Sequence, residues 1–156
     1  MPSATTSDDL YKAQMHQLLH SRTQTISPVP GETLYVALFT TTPGLSGTGG
    51  TEVSQTNTNY ARVAISTADT PNHKWTLTPT SPTFEFSNIE DITFNVPSSP
   101  GSNWGTITGA ALYDSPTVGS GTLYYVAALT TPKTVNAGDG APKILAGQLR
   151  IVRASC

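Results

Sequence analysis

The stretch from Trp104 to Thr131 constrains the fold more than any other part of the chain. Two segments rich in β-branched, aromatic and small apolar residues flank a middle that is dense in Ser, Pro and Gly, with Asp114 just before it. This pattern is typical of a long β-hairpin with an exposed connection. Ile107 and Leu112 cannot share one face by strict alternation, and Gly109 lies between them, where a β-bulge would reset the register. Because neither segment contains Lys, Arg or Glu, we expect both strands to be central and covered.

Other segments supply strands that can pair with this hairpin. Both faces of the segment Thr33 to Thr41 are apolar, which predicts a strand covered on both sides. In Tyr60 to Thr67 the alternation places Ala61, Val63 and Ile65 inward and Arg62 outward. Residues 68–82 contain three prolines and are predicted to be irregular, with Trp75 holding them in place. The remaining predicted strands are short and cover Phe84 to Phe86, Ile92 to Val96, Lys133 to Val135 and Lys143 to Val152.

The N-terminal segment shows a different, helical period. From Thr6 to about Arg22 apolar residues recur at spacings of three to five, and Thr6 with Asp9 resembles a capping box. We therefore expect an arm and helix over residues 1–22 that belong to the same unit as a single β-rich domain over residues 23–156. The predicted fold is mainly β, a compact antiparallel β-sandwich or barrel-like domain with one N-terminal α-helix.

Composition argues against several classes of function. The formal net charge is −2, whereas a nucleic-acid binder needs clustered Lys and Arg. No segment approaches the roughly 20 apolar residues of a membrane span, and Asp8 and Asp9 stand where a signal peptide would be basic. The one cysteine, Cys156, allows no intrachain disulfide and indicates folding in a reducing cytosol. We expect no direct contact with nucleic acid or membrane.

Residue types that often carry chemistry do not form a recognisable set. His16 and His20 are one helical turn apart, but Gln17 stands where a zinc peptidase needs Glu, and His73 lies in a polar loop. The run Gly44 to Gly50 lacks the Lys of a phosphate loop and is interpreted as a flexible loop. The acidic residues Glu85, Glu90, Asp91 and Asp114 show no spacing that would make them converge. The sequence therefore predicts no catalytic, cofactor or metal site and no enzymatic activity.

Three aromatic residues remain open to two interpretations. Tyr60, Trp75 and Trp104 could stack on sugars if they line an exposed groove. Aromatic side chains also dominate burial in small β-domains, so a role in the core is the favoured interpretation.

The order of several segments resembles a family of small phage virion proteins described as tail-fibre-like. After the N-terminal helix, the matching pieces include Asn59-Tyr60-Ala61-Arg62-Val63 and Val135-Asn136-Ala137-Gly138-Asp139. The resemblance covers most of the chain from about residue 8 to residue 151, with residues 68–90 as an insertion. Its other pieces are Thr33 to Pro43, Gly49 to Ser54, Ile92 to Phe94, Trp104 to Asp114 and Leu123 to Leu129.

The resemblance implies a β-rich structural component of a virion, made in the host cytoplasm. A compact, nearly neutral chain with an N-terminal extension and no shaft repeats fits a capsid decoration (cement) protein on the outer capsid surface. Its expected partners are the major capsid protein and further copies of itself, as a dimer or trimer at symmetry axes of the shell. The alternative is a tail or tail-fibre component that binds host glycans, which predicts Trp75 or Trp104 exposed in a groove.

Overall fold

The computed structural model describes residues 5–6, 33–44, 46–66, 75–80 and 83–154. All regular structure in these residues is β-strand. The strands are β1 (Thr5–Thr6), β2 (Thr33–Thr41), β3 (Thr51–Glu52), β4 (Val63–Ser66), β5 (Trp75–Thr80), β6 (Thr83–Asn88), β7 (Ile92–Thr93), β8 (Gly105–Tyr113), β9 (Leu123–Val135), β10 (Lys143–Ile144) and β11 (Arg150–Ala154).

A six-stranded sheet forms the centre, with the order β1-β9-β8-β2-β3 and with β4 also paired to β2. Its middle is the hairpin of β8 and β9, as the sequence predicts. The register shifts between Ile107 and Gly109, at the place where the sequence predicts a bulge, and again between Leu112 and Tyr113. A side chain at Gly109 would collide with Thr42, so this glycine allows two segments to approach closely.

Strand β2 is buried on both faces, as its two apolar faces predict. On one face Leu34, Val36 and Leu38 pack with Ile107 and Leu112 in the larger core. On the other face Ala37 and Phe39 pack in a second cluster with Ala111, Tyr113, Leu123 and Val126. The two clusters lie on opposite sides of one sheet because successive strand residues point to opposite faces.

Strand β9 departs from the prediction that it is covered along its whole length. It continues past Thr131 to Val135, and most of its residues from Ala128 to Thr134 are exposed. On its outer side, β9 pairs with β1, in which Thr5 lies opposite Val126 and Thr6 lies opposite Tyr125. The N-terminal half of β9 is therefore the covered half.

Two smaller antiparallel sheets complete the described part. One pairs β10 with β7, and the other has the strand order β11-β6-β5. The strand Trp75–Thr80 corrects the prediction that residues 68–82 are irregular. It contains Pro79 but lies at the edge of its sheet, where proline is tolerated. The large core is completed by residues from β7 and the segments around it, among them Ile92, Phe94 and Trp104.

The predicted fold class is confirmed as mainly β with antiparallel sheets. Within the described residues no sheet closes on itself, so the barrel-like alternative is not supported there. The predicted helix from Thr6 to Arg22 lies outside the described residues, except that Thr6 itself is in β1 and not at a helix start.

Candidate functional site

A group of four polar and aromatic residues lies at one end of the central sheet. We call Glu52, Tyr60, Arg62 and Tyr113 the Arg62 cluster. Glu52 ends the short edge strand β3, opposite Phe39 of β2, and Tyr113 ends β8. Arg62 directly precedes β4. The strand ends thus bring together side chains from three segments of the chain.

The guanidinium of Arg62 is buried and bound on several sides. Its Nε and Nη2 donate to Oε1 and Oε2 of Glu52, each at 2.8 Å. Nη1 donates to the carbonyl oxygens of Ser115 at 2.8 Å and Ser120 at 2.9 Å. The guanidinium carbon lies 4.0 Å from the centre of the Tyr113 ring, which is a cation–π contact. The side chain is only 1% exposed, so these contacts replace its hydration.

Tyr60 connects this ion pair to strand β2. Its hydroxyl donates to Oε1 of Glu52 at 3.0 Å and accepts from the backbone N–H of Leu38 at 2.8 Å. Its ring meets the Trp104 ring edge to face, with centroids 5.2 Å apart. The Trp104 indole donates to the Thr58 carbonyl at 2.7 Å. The polar cluster is therefore continuous with the aromatic part of the core.

Burial and contacts with neighbouring groups shift the pKa values of Tyr60, Tyr113 and Arg62. Burial raises the pKa of the Tyr60 hydroxyl well above its ordinary value; the Leu38 N–H opposes this shift and Glu52 adds to it. Burial also raises the pKa of Tyr113, although the charge of Arg62 opposes the shift. For Arg62, burial disfavours the charge, but hydrogen bonds and attraction from Glu52 outweigh it and raise the pKa of the guanidinium. Both tyrosines therefore stay neutral and the Arg62 guanidinium stays charged at physiological pH.

A cleft opens above this cluster. Two glycine-containing loops flank it, residues 46–50 before β3 and residues 118–122 between β8 and β9. The buried side chains of Phe39, Tyr113 and Arg62 lie between the loops, together with Glu52. The cleft has a volume of about 630 Å³. Its lining combines polar residues with the buried rings of Phe39 and Tyr113.

The structure decides several of the predictions for single residues. Trp104 is 3% exposed and Tyr60 is also buried, which confirms the core interpretation for both and removes Trp104 as a sugar platform. Asp114 accepts a hydrogen bond from the Thr122 N–H at 2.7 Å and so closes the hairpin loop. The described residues of the Gly44 to Gly50 run, 44 and 46–50, form a loop that is tied by hydrogen bonds between Gly44 and Thr48 and between Gly47 and Gly44. It forms one wall of the cleft.

The other candidate residues do not meet at a common site. Glu90 and Asp91 are exposed, and Asp91 lies 3.7 Å from Lys143 and accepts from the Ala146 N–H. Glu85 lies in β6, opposite Val152 of β11. The described residues contain no group of His, Cys, Asp and Glu that could hold a metal ion. His16, His20, His73 and Cys156 lie outside the described residues, and nothing is described of the Trp75 side chain.

For Arg62, the position predicted from strand periodicity is wrong. Strict alternation through Tyr60 to Thr67 puts it on the outward side, but it is buried because the strand begins only at Val63. A signal was present in the sequence, since an arginine flanked by apolar residues in a chain with few charges needs an acidic partner. The identity of that partner, Glu52, is a matter of tertiary structure.

No helix in the described part of the chain is long and apolar enough to cross a lipid bilayer. No curated protein matches the sequence. The family described as "Podophage GP4 fiber I protein gp80" matches residues 9–152, which is most of the chain. It agrees with the resemblance to fibre-like virion proteins that the segment order indicates. The chain therefore belongs to this podophage fibre protein family, and it is a structural protein of a phage virion.

Proposed function

We propose that this chain is a structural subunit of a podophage tail fibre, which acts through protein contacts and not through catalytic turnover. The family description supports the fibre location, because it names a fibre protein. The structural role is supported by the hydrogen bonds that the acidic side chains make within the chain. Asp91, Asp114 and Asp139 each accept a hydrogen bond from a backbone N–H in a loop. Glu52 binds Arg62 and Tyr60. These contacts stabilise loops and strand ends.

A second candidate is a capsid decoration protein on the outer surface of the shell. The feature that favours it is the short, non-repetitive sheet body, since fibre shafts are usually elongated and repetitive. Its partners would be the major capsid protein and further copies of this chain at symmetry axes. Repeated contacts of that kind gain strength through avidity.

The copy number per virion distinguishes the two locations. Purified virions are digested, and peptides of this chain are quantified by mass spectrometry against peptides of the major capsid protein. We expect a small number of copies per particle, in a simple ratio to the other tail proteins. A ratio to the capsid protein near one to one, or a fraction set by shell symmetry, would establish the decoration role instead. Complete absence from virions would refute both.

Antibody labelling gives an independent readout of position. Gold-labelled antibodies raised against the purified chain are applied to intact virions and viewed by electron microscopy. A fibre subunit places gold at the tail, whereas a decoration protein places gold around the whole shell. Sedimentation of the purified chain then tests whether it forms dimers or trimers, which either role would require for assembly around an axis.

A further inference from the structure

We propose that the cleft above the Arg62 cluster is a binding site for a neutral, hydroxyl-rich ligand, that is, for a saccharide. We call it the loop cleft. Its volume of about 630 Å³ lies within the roughly 300–1,000 Å³ that is typical of sites for small ligands. The proposal concerns the isolated chain and does not depend on where the chain sits in the virion.

The walls of the loop cleft present hydroxyl and peptide groups. Ser46 and Thr51 line one side, and Ser120 and Thr122 line the other. Four glycines lie among them, at positions 47, 50, 119 and 121, so that backbone groups are not shielded by side chains. Hydroxyl and peptide groups both donate and accept hydrogen bonds, and sugar hydroxyls do the same. This match favours a polyhydroxylated ligand.

The charge at the base of the cleft favours a neutral ligand over an ionic one. Among the described lining residues, Glu52 and Arg62 are the charged pair, and they neutralise each other. Arg62 is committed to Glu52 and to two carbonyl oxygens and is not available for an anionic group. Oε2 of Glu52 accepts from Arg62, and a carboxylate oxygen accepts up to two hydrogen bonds. Oε2 of Glu52 can therefore accept a further hydrogen bond, from a ligand hydroxyl.

Both walls are held in place before any ligand arrives. Nη1 of Arg62 binds the carbonyls of Ser115 and Ser120 on opposite sides of one loop, and Asp114 fixes Thr122. The other loop is closed by the Gly44–Thr48 backbone bond. A site whose loops are already ordered loses less conformational entropy on binding.

A peptide fits the loop cleft less well. Side-chain recognition needs apolar recesses, but Phe39 and Leu123 are buried and Val118 is half-buried, so the surface that faces the opening is more polar than apolar. The polar lining favours the saccharide. Peptide binding is an outcome that the experiment can detect.

The test uses a variant that fills the cleft. Thr51 is exposed on the edge strand β3, and Thr51→Trp places a large ring in the opening while the strand retains its backbone bonds. Thr93→Trp is the matched control, since Thr93 is exposed on the short strand β7 and does not line the cleft. Ser120→Trp is a second cleft variant, because Ser120 binds Arg62 through its backbone carbonyl. Circular dichroism establishes that each variant is folded.

Binding is measured by saturation-transfer-difference NMR with neutral oligosaccharides, acidic oligosaccharides and short peptides as probes. We expect transfer to one or more neutral oligosaccharides, an affinity reduced about tenfold or more in folded Thr51→Trp or Ser120→Trp, and no change in Thr93→Trp. The proposal is overturned if no neutral oligosaccharide binds, if only acidic probes or peptides bind, or if binding survives in the folded cleft variants.

Discussion

The ion pair between Arg62 and Glu52 gives the sharpest test of the structure. We expect Arg62→Met and Glu52→Leu to be strongly destabilising as single substitutions and much less harmful together. Glu52→Leu leaves a guanidinium that is 1% exposed without its carboxylate. Arg62→Met leaves a carboxylate that is 9% exposed and removes the two bonds to the carbonyls of Ser115 and Ser120.

The magnitude follows from the burial of the two partners. Removing one partner of a buried ion pair costs about 3–5 kcal/mol, because an uncompensated charge stays behind. Glu52→Leu should lie in this range. Arg62→Met should cost about 3 kcal/mol, since Tyr60 still donates to Glu52, and since Ser120 is an exposed residue whose carbonyl can then bind water. The double variant has no buried charge, and we expect a cost of about 1–2 kcal/mol from lost hydrogen bonds.

Urea denaturation of the four proteins supplies the free energies of unfolding for a double-mutant cycle. The expected coupling energy is about 3 kcal/mol or more, and the single variants should melt about 6–20 °C below the parent. Equal slopes of unfolding free energy against urea would show that the comparison is valid. Additive costs, or single costs below about 1 kcal/mol, would show that the pair is hydrated and that the cluster is not built as described.

Three further predictions test other parts of the fold. Because Tyr60 and Tyr113 have raised pKa values in the folded chain, the unfolded chain loses its tyrosine protons first, and stability should fall as the pH rises above about 10. Tyr60→Phe should cost about 1–3 kcal/mol at neutral pH. In urea titrations across alkaline pH, this variant should lose less stability per pH unit than the parent. Val126→Asp should cost about 3 kcal/mol or more, whereas Ala128→Asp, exposed further along the same strand, should stay within about 1 kcal/mol. Equal melting points for the two variants would contradict the burial of Val126 and the exposure of Ala128. Asn88→Ala should cost about 2–4 kcal/mol, because the buried amide of Asn88 donates to the carbonyls of Glu90 and Leu145 and accepts from the Leu149 N–H. In the variant, amide hydrogen exchange should become faster at Leu149 and stay unchanged at Ala111. Unchanged exchange at Leu149 would refute the role assigned to Asn88.

The local pattern of the chain was sufficient to predict much of the central sheet. The Trp104 to Thr131 hairpin, its bulge at Gly109 and the two apolar faces of β2 all follow from residue type and a period of two. These features are determined within a few residues of chain. The sequence pattern did not predict the edge strand β5 or the exposure of the C-terminal half of β9, because strand pairing and not composition sets the structure there.

For the candidate site, the sequence predicted little and the tertiary structure decided most. The sequence identified the Gly44 to Gly50 loop and the hairpin loop after Asp114, each from its local turn residues. It could not show that these loops flank one cleft, since the pairing of β2 with β8 and the contacts of Arg62 bring them together in space. Arg62 and Glu52 are ten residues apart, and the carbonyls that Arg62 binds are 53 and 58 residues away.

The sequence by itself determined that this chain is a β-protein of the fibre-like virion class, because strand periodicity and segment order are properties of the linear chain. Only the tertiary structure decided which polar residues are buried and what they hold. Arg62, which periodicity predicts to face outward, is the centre of a buried cluster because strand pairing places Glu52 and Tyr113 around it. Such contacts depend on distances in space, which a pattern of neighbouring residues does not contain.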